Sequence, residues 1–205
     1  MGDKRRMGDK CDRITLYTAQ AGPVLAAIEQ DGRCFSKREY VERKYEESAG
    51  IFLTAYDWFV SEAKKRVPRP EGAQFPYWAF HDLYSLDGSS GCRPMTLQVP
   101  LDEAVFFDVY DWNKILCLKY LGDSEEEERD FARKLEAQGI RETDVMLTPF
   151  YPVLKREILS SWSRLFRYHE GIASGEIELE KKTETKNRPK SIQAALWQIK
   201  KEWIC

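Results

Sequence analysis

Histidine is scarce in this chain: His81 and His169 are the only two among 205 residues. Five cysteines (Cys11, Cys34, Cys92, Cys117, Cys205) are widely and irregularly spaced, with no Cys-x-x-Cys. A structural zinc site is poorly supported by that set. An odd thiol count without framework spacing suits reduced cysteines in a cytoplasm. Long apolar runs are missing as well; nothing approaches the roughly eighteen residues that read as a membrane-spanning helix. Excess charge is absent, since 32 basic residues face 34 acidic ones for a formal net charge of −2. That balance argues against a general polyanion binder. Arg156, Arg164, Arg167, Lys181 and Lys182 are interspersed with Glu157, Glu176, Glu178 and Glu180, so nucleic acid is disfavoured as a partner. The strong catalytic signatures are also lacking. There is no Gly-x-x-x-x-Gly-Lys, Gly-x-Gly-x-x-Gly, His-Glu-x-x-His or Gly-x-Ser-x-Gly, which disfavours P-loop, Rossmann, zinc-protease and serine-hydrolase readings.

Apolar residues, by contrast, are plentiful at 42%, and aromatics alone reach 13%. A sizeable core is therefore expected, in one domain. The stretch Met95–Leu121 organises the rest. Leu97, Val99 and Leu101 alternate with Thr96, Gln98 and Pro100, the period-2 pattern of a strand with one buried face. Pro100 places its end at a sheet edge or bulge. Ala104 to Tyr110 is apolar on both faces and reads as a central, doubly covered strand. Asp108 is the exception there, since a buried carboxylate needs a partner. Asp111 is the expected cap of a following helix carrying Trp112, Ile115 and Leu116, closed at Gly122.

In chain order, residues 1–12 read as a disordered leader and 13–205 as the domain. Arg13–Gln20 predicts a first strand, and Gly22-Pro23 starts a short helix ending at Asp31-Gly32. Ser36 and Glu39 match a capping box. Val41, Tyr45, Ala49, Phe52, Tyr56, Phe59, Ala63 and Val67 then recur at threes and fours, predicting one long helix over 36–67 with a kink or close approach at Gly50. Phe75 to Leu86 alternates as a strand, and 87–94 reads as a loop. Ser124 to Glu127 is a second capping box, before a helix closed by Gly139. Residues 143–147 read as a short strand. Pro152 opens a helix with Leu154, Ile158, Trp162, Leu165 and Phe166 on one face. Residues 174–188 read as polar loop, and Ile192, Leu196, Ile199 and Trp203 predict a last helix. The expectation is an α+β fold, a small, mainly antiparallel sheet wrapped by one long helix and two late helices. Burial of Tyr56, Phe59, Trp162 and Trp203 tests it.

Three groups are candidates for a cleft or ligand site. Tyr77, Trp78, Phe80 and His81 would make an aromatic shelf for a flat ring, with His81 as a potential general base or a structural histidine. Asp108 and Asp111 flank a helix start, where capping competes with acid–base work. Thr18 and Gln20 end the first strand, a common ligand position. Gln193 and Glu202 fall outside the apolar line of the last segment and read as surface residues.

Several stretches resemble a bacterial family catalogued as domain of unknown function 3841. They are Leu16-Tyr-Thr-Ala-Gln20, Ala55-Tyr-Asp-Trp58, Pro76-Tyr-Trp-Ala79, the strand pair from Val99 to Trp112, and Ile192-Gln-Ala-Ala-Leu-Trp197. The likeness runs from Ile14 to Ile204 and implies no particular reaction. The opening strand with Tyr-Thr-x-Gln, followed by a short helix and Gly turn, is similar to the start of mono-ADP-ribosyltransferase-type domains. Those typically carry His or Arg on that strand and a Glu on a late strand; here Thr18 and Gln20 stand in the first place.

Two functional expectations follow. One is a cytoplasmic binding or regulatory module with an aromatic-lined cleft, for a small molecule or protein whose identity the sequence leaves unknown, as it does any cofactor. The alternative, implied by the second resemblance, is a divergent nucleotide-using transferase with NAD as its cofactor. That version requires one cleft joining Gln20, Trp78 and a late carboxylate such as Glu202.

Overall fold

A computed structural model describes residues 12–86, 91–177 and 192–205. Residues 1–11 of the expected leader, 87–90 of the 87–94 loop and 178–188 of the 174–188 loop, with the charges at Glu178, Glu180, Lys181 and Lys182, lie outside the described residues.

The chain opens with β1 (Arg13–Ala21), whose Ile14, Leu16 and Thr18 are buried while Thr15, Tyr17 and Ala19 are half-buried. Helix α1 (Gly22–Asp31) begins with Pro in its first turn and ends on Gly32 at φ 73°, a left-handed position suited to glycine. A two-residue β2 (Arg33–Cys34) follows. The expected 36–67 helix is two helices, α2 (Arg38–Tyr45) and α3 (Ala49–Ala63), joined by a 3-10 turn. The break falls at Glu46, φ 44°, not at Gly50, where an added Cβ would meet nothing within 4 Å. Its physical reason is the stack of Tyr45 on Phe52, ring centroids 3.7 Å apart. Seven residues along an unbroken helix would stand about 10 Å apart, so the rings meet only because the helix turns. Ser36 does not cap α2; Gln74 Oε1 instead accepts from the Arg38 amide at 2.8 Å.

β3 (Tyr77–Phe80) is shorter than its alternating run, which passes into a 3-10 turn capped by Asp82. β4 (Cys92–Pro100) and β5 (Ala104–Asp108) form as the alternation and the doubly apolar run predict. Helix α4 (Val109–Leu116) begins earlier than expected, because Asp108 rather than Asp111 caps it. α5 (Glu125–Glu136) starts at Ser124, whose Oγ accepts from the Glu127 amide. Residues 142–147 form helix α6 (Glu142–Leu147) and not a strand. Two adjacent buried residues, Val145 and Met146, are too short a run to specify a period. α7 (Pro152–Ser161) continues through a 3-10 turn, Trp162–Phe166, into α8 (Arg167–Ser174).

The final apolar stretch is not helix but strand, β6 (Ile192–Leu196), then β7 (Ile199–Lys200) and a 3-10 turn carrying Trp203. The spacings of four, three and four from Ile192 to Trp203 imitate a helical stripe. All residues from Gln193 to Ile199 are buried, however, which marks a central strand covered on both sides.

The main sheet has five strands in the order β4-β1-β3-β6-β5, every pairing antiparallel. It separates two cores. On one face Val105, Phe107 and Ala195 pack with Phe59, Tyr56, Trp112, Trp162 and Phe166 from the helices. On the other, Ile14, Leu16, Leu97, Val99, Ala79 and Leu196 pack with Ile28 of α1 and Trp203. Tyr56, Phe59, Trp162 and Trp203 are 6%, 0%, 0% and 1% exposed, so the four test positions all lie inside. The outer edge of β4 is capped by the chain end, with Ile204 bridging Leu97 and the Cys205 amide donating to Thr96 O. Among the described residues no helix is long and apolar enough to cross a membrane.

Candidate functional site

The candidate residues are held first by local chemistry. β1 and β3 share a single ladder pair, Tyr17 with Phe80. Beyond it the Thr18 hydroxyl donates to Trp78 O at 2.8 Å, and Gln20 Nε2 donates to Thr18 Oγ at 2.7 Å. Thr18 and Gln20 thus form a polar seam that supplies a side-chain bond where the backbone ladder stops. Tyr77 donates to Cys34 Sγ at 3.0 Å, which ties β2 to β3. Burial, then the neighbouring thiol, pushes the Tyr77 phenol well above its ordinary pKa. Trp78 Nε1 donates to Tyr56 Oη at 3.0 Å, joining the sheet to α3, and burial likewise raises the Tyr56 phenol. Asp108, 5% exposed, accepts from the amides of Tyr110 at 2.8 Å and Asp111 at 3.2 Å. The partner its burial demanded is the start of α4, where the helix dipole favours a carboxylate. Asp111 lies 3.8 Å from Lys114 Nζ on the same helix.

Strand register fixes which of these share a surface. Tyr77 alternates with Trp78, so they occupy opposite faces of the sheet. Asp108 pairs with Ile192, and the His81 amide donates to Ile192 O, which brings His81 and Asp108 to one end of the sheet. Gln20 stands toward the other end, roughly 13 Å away along the strands. The set therefore does not converge on one point.

One row does cross the sheet. Thr96 pairs with Tyr17, Tyr17 with Phe80, Phe80 with Gln193 and Gln193 with Phe107. All five side chains share the helix-covered face. Phe107, at the covered end, is 0% exposed beneath Phe59 and Trp112. Toward the other end the burial thins: Phe80, Tyr17 and Thr96 are half-buried, as are Trp78, Thr15 and Gln98 around them. This fall in burial past Trp78, Phe80 and Tyr17 forms a step at the margin of the aromatic layer. Gln193, expected at the surface, is 5% exposed on this row, and its Oε1 has no hydrogen-bond partner among the described residues. A buried carbonyl oxygen without a donor costs about 1–3 kcal/mol. Gln193, which the sequence reads as a surface residue, and Tyr17 meet only through strand register. One local sign exists, a large aromatic alternating with Thr15 and Ala19 on the face turned from the aliphatic core.

The interior beyond the step is filled. Tyr56, Phe59, Trp78, Phe107 and Trp112 meet edge-on or tilted at centroid separations between 5.2 and 6.1 Å. These are ordinary aromatic contact distances and geometries. Glu202, exposed beside Trp203, lies on the far side of the sheet from the Trp78 indole. No cleft joins Gln20, Trp78 and Glu202, so the transferase arrangement set out above is not formed by these residues. Among the described residues there is no group of three or more His, Cys, Asp or Glu that could hold a metal ion.

A family model described as Domain of unknown function (DUF3841) matches residues 15–205, nearly the whole chain. No curated protein and no solved structure matches it.

Proposed function

The chain belongs to the DUF3841 family, and we propose that it is a cytoplasmic bacterial binding or regulatory module that receives a flat, partly apolar ligand on the step formed by Tyr17, Trp78 and Phe80. The observation that carries this reading is the half-uncovered row ending in Thr96. The aromatic residues are half-buried there, beside a buried acceptor, Gln193 Oε1, that has no donor among the described residues. Half-buried rings at a layer's margin favour a stacked planar group. Thr15, Thr96 and Gln98 supply hydroxyl and amide groups on the open side.

Within this reading the candidate residues divide by role. Trp78 would touch the ligand. Thr18, Gln20 and Tyr77 hold β1, β2 and β3 in place beneath it. His81, Asp108 and Asp111 fix the end of the sheet and the start of α4.

Calorimetric titration of the full chain with adenosine, nicotinamide and NAD tests it. At least one base-bearing probe is expected to bind. Tyr17→Ser should weaken that binding about tenfold or more, since stacking contributes about 1–3 kcal/mol, while the melting temperature stays close to the parent's. Absence of heat with all three probes, or binding indifferent to Tyr17→Ser and Phe80→Ser, overturns the reading.

A further inference from the structure

A polar depression of about 480 Å³ lies away from the step, between the end of α3, the 118–124 loop and the junction of α7 with α8. Arg66, Arg164, Arg167, Asp123, Glu170 and Ser160 are among the residues that line it. The lining thus holds three guanidiniums and two carboxylates, with two more carboxylates, Glu62 at 3.9 Å from Arg66 and Glu127 at 3.1 Å from Arg164, pairing from outside it.

Two of the three are fixed by contacts behind them. Arg66 lies over the Phe166 ring at 4.0 Å, donates to Glu62 O at 3.1 Å and pairs with Glu170 at 2.7 Å. Arg164 sits over Tyr120, donates to Leu121 O at 2.5 Å, and reaches Glu127 and Asp123, each at 3.1 Å. Their side chains are only 18% and 22% exposed. Arg167 differs: its side chain is 56% exposed, and one terminal nitrogen contacts Asp123. Asp123 is thus shared by two arginines, while the rest of the Arg167 fork, with its further N–H donors, stands at the rim. Ser160 adds a rim hydroxyl.

We propose that this depression is a binding site for a small oxyanion of the phosphate class. Guanidiniums match tetrahedral and planar oxyanions through paired N–H donors. Here two of them are already oriented by stacking and backbone contacts, so little ordering is left to the moment of binding. Arg167 is the group that closes on the anion, and Asp123 is the internal competitor that occupies the cations in its absence.

The test is calorimetric titration of the full chain with inorganic phosphate, against chloride at equal ionic strength. Saturable binding is expected for phosphate. Arg167→Gln should weaken it about tenfold or more, whereas Asp123→Asn should strengthen it by releasing two arginines. Melting curves confirm that both variants fold; Arg167→Gln alters an exposed side chain. No saturable phosphate binding, or equal affinity in the parent and both variants, overturns the proposal and leaves the arginines as an ion-pair network. Either result is independent of the Tyr17–Trp78–Phe80 step, which a nucleoside probe without phosphate addresses separately.

Discussion

The two faces of the central sheet are built differently. One carries an aromatic layer in which rings meet edge-on and polar tips are tied off, Trp78 to Tyr56, Trp162 to Lys119 O at 2.6 Å, and Trp197 to Val67 O at 2.9 Å. The other is mostly aliphatic, covered by α1, by the terminal turn and, over Phe106 of β5, by His169 and Ile172 of α8. Burial dominates there, and Trp203 Nε1 is left without a partner among the described residues. The directional bonds of the aromatic layer reach as far as Trp78, and beyond it Phe80 and Tyr17 are half-buried. On the aliphatic face the last residues reach the sheet edge, where Ile204 bridges Leu97 of β4.

That contrast can be broken by substitution. Phe59→Ala, in the middle of the aromatic layer, is expected to cost about 3–5 kcal/mol in chemical denaturation. Leu16→Ala on the aliphatic face should cost less, about 2–4 kcal/mol, since smaller neighbours can close around the gap. Equal losses would show that the two faces resist collapse alike. Asp108→Ala tests the joint between β5 and α4 and should remove about 1–2 kcal/mol, whereas Asp108→Asn, which keeps an acceptor for the Tyr110 and Asp111 amides, should lose much less.

A smaller effect concerns pH. Burial, then the nearby Arg66 charge, holds the His169 imidazole below its ordinary pKa, with Glu170 opposing. The unfolded chain therefore takes up that proton first as pH falls. The histidine's contribution is fully present at neutral pH and is lost as acidification passes the ordinary value, about 6.5, and approaches the folded one. His169→Gln should flatten the acid-side decline of stability over that interval. An unchanged decline would assign it to other groups.

Local signals in the sequence carried much of the fold. Pro23 and Gly32 bound α1, Ser124 starts α5, and the alternation of Leu97 and Val99 marks β4. What failed depended on distant packing. The Glu46 break exists because Tyr45 folds back onto Phe52, and β6 is a strand because Ala194 and Ala195 are each buried, on opposite faces. The candidate site was legible residue by residue but not as a surface. Trp78 and Phe80 stood out by type, whereas Tyr17 and Gln193 join them only through a register that no single strand encodes.

An open row beside a structural aromatic layer is the feature on which the ligand proposal stands. Its most direct test compares Tyr17→Ala with Phe59→Ala in one denaturation series. A loss of about 1 kcal/mol or less is expected for Tyr17→Ala, as for a side chain outside the packed core, against several for Phe59→Ala. A Tyr17→Ala loss as large as that of Phe59→Ala would contradict it, because the Tyr17 ring would then be part of the packed interior.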